Sequence, residues 1–110
     1  MTPGPGRIDM TAPMASWLYP DAVRRVRQAC AAYLAGQADI GHAQAALHHA
    51  EQAIVALEEK WLRALLFQAE NRLEEIQYTL PADAQATAAR AALQQVLRAL
   101  DAHEARAGRP

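Results

Sequence analysis

The chain has 110 residues, a formal net charge of −1 and one cysteine, and alanine makes up about a quarter of it. This length allows one small domain, and the near-neutral charge gives no field that would attract nucleic acid or an anionic membrane. A single cysteine excludes an intrachain disulfide, and no apolar run approaches the ~20 residues that cross a bilayer. Because the N-terminus also lacks the pattern of a signal peptide, we expect a cytoplasmic protein.

The N-terminal residues 1–16 are rich in Pro and Gly and poor in large apolar side chains, which predicts a disordered tail. The single domain is expected over 17–106. Trp17, Leu18 and Tyr19 form an apolar cluster just before Pro20. This cluster is typical of a hydrophobic staple that fixes the entry into a helix, and a partner-binding anchor is the alternative.

The first helix is predicted over about 21–35, where apolar residues form one stripe at helical spacing. Gly36 stands where a left-handed residue would end that helix, and Asp39 is suited to cap the next one. The third helix is predicted over about 83–103, with Asp83 as its cap. Residues 107–110 are expected to fray.

The central feature is a long helix predicted over about 40–78. No Gly or Pro lies between Gly41 and Pro81, so an unbroken helix would be about 60 Å long. Its apolar stripe is narrow up to Trp61 and then widens into an arc from Leu62 to Ile76, as expected for a helix contacted from two directions.

These elements predict an all-α fold of three antiparallel helices with a long central helix. Two short flanking helices cannot cover the wide arc, so the favoured interpretation is a homodimer that completes the bundle through the central helices. The alternative is a break near His48–Glu51 that closes the monomer as a four-helix bundle. The expected partner-binding or dimer surface comprises Trp17, Tyr19, Trp61, Leu62, Leu65, Leu66, Leu73 and Ile76.

The sequence contains no motif that predicts an enzyme, and the favoured interpretation involves no catalytic residue, cofactor or metal. His42, His48, His49 and Glu51 lie on one helix, but they lack the paired Glu-x-x-His motifs of di-metal bundles. Cys30 occupies a stripe position, which favours core packing over a reactive thiol.

Three segments carry a resemblance to known proteins: the turn Tyr33–Ile40, the stretch Glu59–Leu62 and the stretch Glu70–Ile76. They are similar to segments of short all-helical bacterial proteins, some of them like colicin immunity proteins. The resemblance implies a non-catalytic protein that binds another protein. The region 43–56 departs from that pattern, because it is rich in Ala and His where immunity proteins carry acidic side chains.

We therefore expect a non-catalytic interaction module that binds a protein partner through the second helix and the 17–19 segment, with toxin neutralisation as one specific form. A metal- or small-molecule-binding bundle that uses His42, His48, His49 and Glu51 is the alternative function. A third reading, a nucleic-acid accessory that uses Arg24, Arg25 and Arg27, is disfavoured by the near-neutral charge.

Overall fold

The computed structural model describes residues 16–108, so the predictions for residues 1–15, 109 and 110 lie outside the described part. Within that part the chain is all-α, with no strand. One 3-10 turn, Leu57–Glu59, precedes the third helix. The four α-helices are α1 (Pro20–Leu34), α2 (Ile40–Ala53), α3 (Lys60–Thr79) and α4 (Ala82–Ala107).

The turn between α1 and α2 forms as predicted. Gly36 has a φ of 77°, in the left-handed region that glycine tolerates best. Its N–H donates to the carbonyl of Tyr33, and the N–H of Gln37 donates to the carbonyl of Ala32. Asp39 caps α2, because its carboxylate accepts the His42 N–H at 2.8 Å.

Helix α4 begins one residue earlier than predicted and extends four residues further. Its N-cap is Pro81, whose side chain makes no capping bond, so the prediction that Asp83 caps the helix is wrong. Asp83 instead lies in the first turn, where its negative charge interacts favourably with the helix dipole.

The prediction of one continuous helix over 40–78 is also wrong. The backbone becomes extended at Ile54, and the chain turns back through the 3-10 turn into α3. The break therefore follows α2 and does not fall at His48–Glu51, as the alternative prediction had placed it. The monomer itself closes as a four-helix bundle in which each helix packs on the next and α1 also contacts α4.

Burial explains why the chain bends at a point that carries no Gly or Pro. The reversal leaves Val55 and Leu57 exposed and forgoes a few helical hydrogen bonds, each with a net value of about 1 kcal/mol. In return it buries four large side chains of the wide arc, which stabilises the fold by about 6 to 12 kcal/mol. These side chains, all at 1% exposure or less, are Leu62, Leu66, Leu73 and Ile76.

The arc that the sequence analysis expected to be uncovered therefore belongs to the monomer's own core. The dimer was predicted because this arc would be uncovered in a monomer. Since the arc is buried within the monomer, that argument for a dimer no longer applies. The homodimer itself stays a prediction. None of the helices in the described residues combines the length and hydropathy needed to cross a bilayer.

Candidate functional site

An open groove runs between the start of α1 and the outer face of α2. It has a volume of about 740 Å³, which lies in the range of ligand-binding clefts. The floor is built from small side chains that α2 presents at helical spacing: Ala45, Ala46, Ala50 and Ala53. Because these side chains end at Cβ, an occupant can approach close to the backbone of α2.

Leu18 and Tyr19 form one end of this α1–α2 groove. The Leu18 side chain is 55% exposed and lines the groove, and a hydrogen bond holds its backbone in place. The Leu18 N–H donates to Oε2 of Glu59 at 2.8 Å, which ties the segment before α1 to the 3-10 turn. The exposed leucine is therefore a fixed part of the groove.

The polar groups that line the groove include one guanidinium, two imidazoles and one carboxylate. Arg25, His42 and His49 contribute side chains to it, together with Asp21. The Asp21 carboxylate is paired with Arg24, whereas Arg25 forms no ion pair with any described residue. An occupant that places a carboxylate beside Arg25 would match this charge.

The predicted partner surface does not form a single patch. Trp17 is 4% exposed and packs against Trp61 and His103, with ring centroids 5.9 and 4.3 Å away. Its indole Nε1 donates to Oε2 of Glu104 at 2.8 Å. Trp17 is thus an anchor within the fold, but its ring and hydrogen-bond partners lie far away in the sequence and not in α1, where a hydrophobic staple makes its contact.

The remaining predicted surface residues divide between the core and the surface. Trp61 is 39% exposed at the edge of the aromatic cluster, and Leu65 is half-buried against the core. Tyr19 is also half-buried, and it lines the α1–α2 groove. The residues that the core takes up completely are Leu62, Leu66, Leu73 and Ile76.

The structure separates the histidines of the alternative prediction. His42 and His49 line the groove, whereas His48 and Glu51 lie on the side of α2 that turns towards α3. There they meet Glu70, which the sequence analysis had not connected with them. Ligand atoms of these three residues all lie within 4.8 Å of one another, the geometry of a group that could hold a metal ion.

Two side chains hold the Glu51 carboxylate in this cluster. Arg63 donates from Nε to Oε2 at 3.1 Å, and Gln52 donates from Nε2 to Oε1 at 3.1 Å. Burial alone would raise the pKa of Glu51, but these hydrogen bonds and the charge of Arg63 outweigh it and lower the pKa. Glu51 is therefore ionised at neutral pH despite being 5% exposed.

Sequence reasoning could identify α2 as part of a binding surface, but it missed the groove alanines and Glu70. The outer-face alanines were a usable signal, since they widen the apolar face of α2 beyond the stripe that packs on the core. Glu70 carried no such signal, because only the reversal at Ile54 brings it to α2. No family model, curated protein or solved structure shows a significant match to this chain, so its functional assignment depends on this geometry.

Proposed function

We propose that the protein is a non-catalytic binding module that holds an amphipathic helix of a partner protein in the α1–α2 groove. The observation that carries this proposal is the alanine floor of a groove about 740 Å³ in volume, with the exposed Leu18 held at one end. Helix-in-groove recognition uses such a surface, because the partner inserts apolar anchors at i, i+3, i+4 and i+7.

The dimensions of α2 suit this mode of binding. Its 14 residues give a length of about 20 Å, enough to support three to four turns of a partner helix. Helix axes approach to about 8 Å only when the side chains between them are small. The alanine floor therefore favours a partner helix with a few large apolar anchors, and it disfavours a partner that presents a flat surface.

The charge of the groove restricts the partner further. The guanidinium of Arg25, unpaired among the described residues, favours a partner helix that carries acidic side chains beside its apolar face, and His42 and His49 add polar ring nitrogens to the groove. A toxin-neutralising role, which the resemblance to colicin immunity proteins implies, remains one specific form of this proposal. Asp21 is the acidic residue that lines the groove, and it is already paired with Arg24. A basic toxin segment would therefore find no unpaired carboxylate among the described groove residues, so the segment in the groove would be neutral or acidic.

Site-specific photo-crosslinking tests the proposal. A benzophenone amino acid is placed at Ala46 in the groove or, as a matched control, at Ala91 on α4, and the full chain is irradiated in its native lysate. Ala91 is an exposed alanine in mid-helix outside the groove. The crosslinked segment is then mapped by mass spectrometry, synthesised as a peptide and titrated against the purified protein.

The expected result is an adduct from position 46 alone, mapped to an amphipathic helix of another protein. Ala45→Glu should weaken peptide binding by at least about tenfold, equal to 1.4 kcal/mol, because it places bulk and negative charge on the groove floor. Ala91→Glu should leave binding unchanged. Equal adducts from both positions, an adduct only with a second copy of this chain, or insensitivity to Ala45→Glu would each overturn the proposal.

A further inference from the structure

The face of α2 opposite the groove meets α3 through a cluster of one histidine and two glutamates. His48 Nδ1 lies 3.0 Å from Oε1 of Glu70 and 3.8 Å from Oε1 of Glu51. We propose that His48, Glu51 and Glu70 bind a divalent first-row transition-metal ion, with Zn²⁺ as the representative case. This site is independent of the α1–α2 groove and of the partner proposed for it.

The carboxylate of Glu70 gives the strongest support for a metal site. This residue is 9% exposed, and its Oε2 is fully buried without a hydrogen-bond partner. An unpaired carboxylate oxygen in the interior is costly, because it has lost its water without receiving a donor in return. Its companion Oε1 faces His48, so the carboxylate is directed into the cluster.

The local charge also favours a cation. The carboxylates of Glu51 and Glu70 are opposed by the guanidinium of Arg63, which binds Glu51 alone. His48 offers Nδ1, an imidazole nitrogen of the kind that binds metal ions in zinc sites. A divalent ion would then compensate the remaining negative charge and satisfy the unpaired oxygen of Glu70.

The geometry needs only a small adjustment to hold such an ion. Ligand atoms around a tetrahedral Zn²⁺ lie roughly 3.4 Å apart for bonds of about 2.1 Å. The two distances from His48 Nδ1 bracket that value, and the whole ligand set lies within 4.8 Å. The His48 side chain is 57% exposed, which gives the ion a route from solvent and leaves space for a water ligand.

Arg63 and Gln52 complete the arrangement as positioning residues. Both donate to Glu51 and fix its carboxylate. Outer-shell hydrogen bonds of this kind orient metal ligands. Because two ligands come from α2 and the third from α3, a bound ion would fasten the two helices together across the reversal at residues 54–59.

The test uses the full-length chain without a polyhistidine tag. Zn²⁺ binding is measured by isothermal titration calorimetry, and Co²⁺ is used as a spectroscopic probe of the ligand set. The variants are His48→Ala and Glu70→Gln, and the matched control is His49→Ala. His49 is the adjacent exposed histidine on α2 and lines the groove.

We expect one Zn²⁺ per chain. His48→Ala and Glu70→Gln should weaken binding by at least about 10- to 100-fold, the loss that outer-shell changes alone can produce. His49→Ala should bind like the unmodified chain. Zn²⁺ at about 100 times its Kd should raise the Tm by roughly 10 °C, and only where the site is intact. The Co²⁺ spectrum should show d–d bands without a thiolate charge-transfer band, since Cys30 is not a ligand.

The proposal would be overturned by no Zn²⁺ uptake at micromolar concentration, by equal affinity in His48→Ala, or by an equal loss in His49→Ala. A thiolate-to-cobalt band would also overturn it, because it would assign the ion to Cys30. If Glu70→Gln does not fold, His48→Ala decides the matter, because its side chain is 57% exposed and its removal leaves the core intact.

Discussion

Glu104 connects three parts of the fold, and its removal gives a sharp test of how the bundle is closed. Its Oε2 accepts the Trp17 indole N–H at 2.8 Å, and its Oε1 accepts from Nη2 of Arg27 at 2.7 Å. The carboxylate therefore ties the segment before α1, and α1 itself, to the end of α4. The Glu104 side chain is 16% exposed, so solvent replaces these contacts poorly.

The expected cost of Glu104→Ala follows from these contacts. A hydrogen bond to a charged group contributes about 1.5 to 3 kcal/mol, and a buried donor left unpaired costs a similar amount. Arg27 retains Asp101 at 2.9 Å, although that carboxylate is 67% exposed and compensates only in part. We expect Glu104→Ala to lower the free energy of unfolding by about 2 to 4 kcal/mol.

Urea unfolding followed by far-UV circular dichroism and tryptophan fluorescence measures this loss. Glu75→Ala is the matched control, because Glu75 pairs with Arg72 at 2.8 Å on the surface, with side chains 58% and 49% exposed. That pair should contribute less than about 1 kcal/mol. If Glu104→Ala and Glu75→Ala have the same effect within error, Glu104 does not close the bundle as described here.

Three further predictions concern the core, the thiol and the pH dependence. Leu47 is fully buried, so Leu47→Ala should lower the free energy of unfolding, measured with denaturant, by about 3 to 5 kcal/mol. Leu57 is 84% exposed, so Leu57→Ala should lower it by less than about 0.5 kcal/mol. Similar losses from the two variants would contradict the reversal. Burial raises the pKa of the Cys30 thiol to about 11, so a thiol reagent should label the native protein far more slowly than the unfolded chain; rapid labelling of folded protein would contradict its position. The pKa of Glu51 lies below its ordinary value of 4.5, so its contribution to stability is present above that pH and is lost as the pH falls through the folded-state pKa. Arg63→Met leaves burial as the main influence on the pKa of Glu51, and unfolding measured across acidic pH should lose this dependence; an unchanged profile would show that Arg63 does not hold that carboxylate ionised.

Local features of the fold could be predicted from the sequence because their causes are local. Gly36 and Asp39 define the first turn through a left-handed backbone and a side-chain cap, and both depend on residues within a few positions. Pro81 likewise ends the α3 segment and precedes α4. Leu47 and Leu93, which recur with other apolar residues at helical spacing, are both fully buried in the core.

The reversal after Ala53 could not be predicted in the same way. Good helix formers continue past this point, and only the packing of Leu62 to Ile76 against the other helices makes the bend favourable. The cluster of His48, Glu51 and Glu70 depends on that bend, because the bend brings Glu70 to His48. The groove is built from α1, α2 and the segment before α1, and only the contact of Leu18 with Glu59 connects it to the reversal.

A distance between spin labels on α2 and α3 tests this reversal most directly. Gln44 and Gln77 are 33 residues apart in the sequence, yet Nε2 of Gln77 donates to Oε1 of Gln44 at 2.7 Å. Gln44→Cys and Gln77→Cys can be labelled selectively because Cys30 is fully buried. Electron paramagnetic resonance would be recorded with the doubly labelled chain diluted into unlabelled protein, so that only intramolecular pairs contribute.

The folded-back bundle predicts strong dipolar broadening from labels on neighbouring helices, at a separation of roughly 10 to 20 Å, since packed helix axes lie about 8 to 10 Å apart. A continuous helix would place the two labels about 50 Å apart, at 1.5 Å per residue. A distance near the longer value would contradict the four-helix monomer, and with it the metal site that the reversal creates.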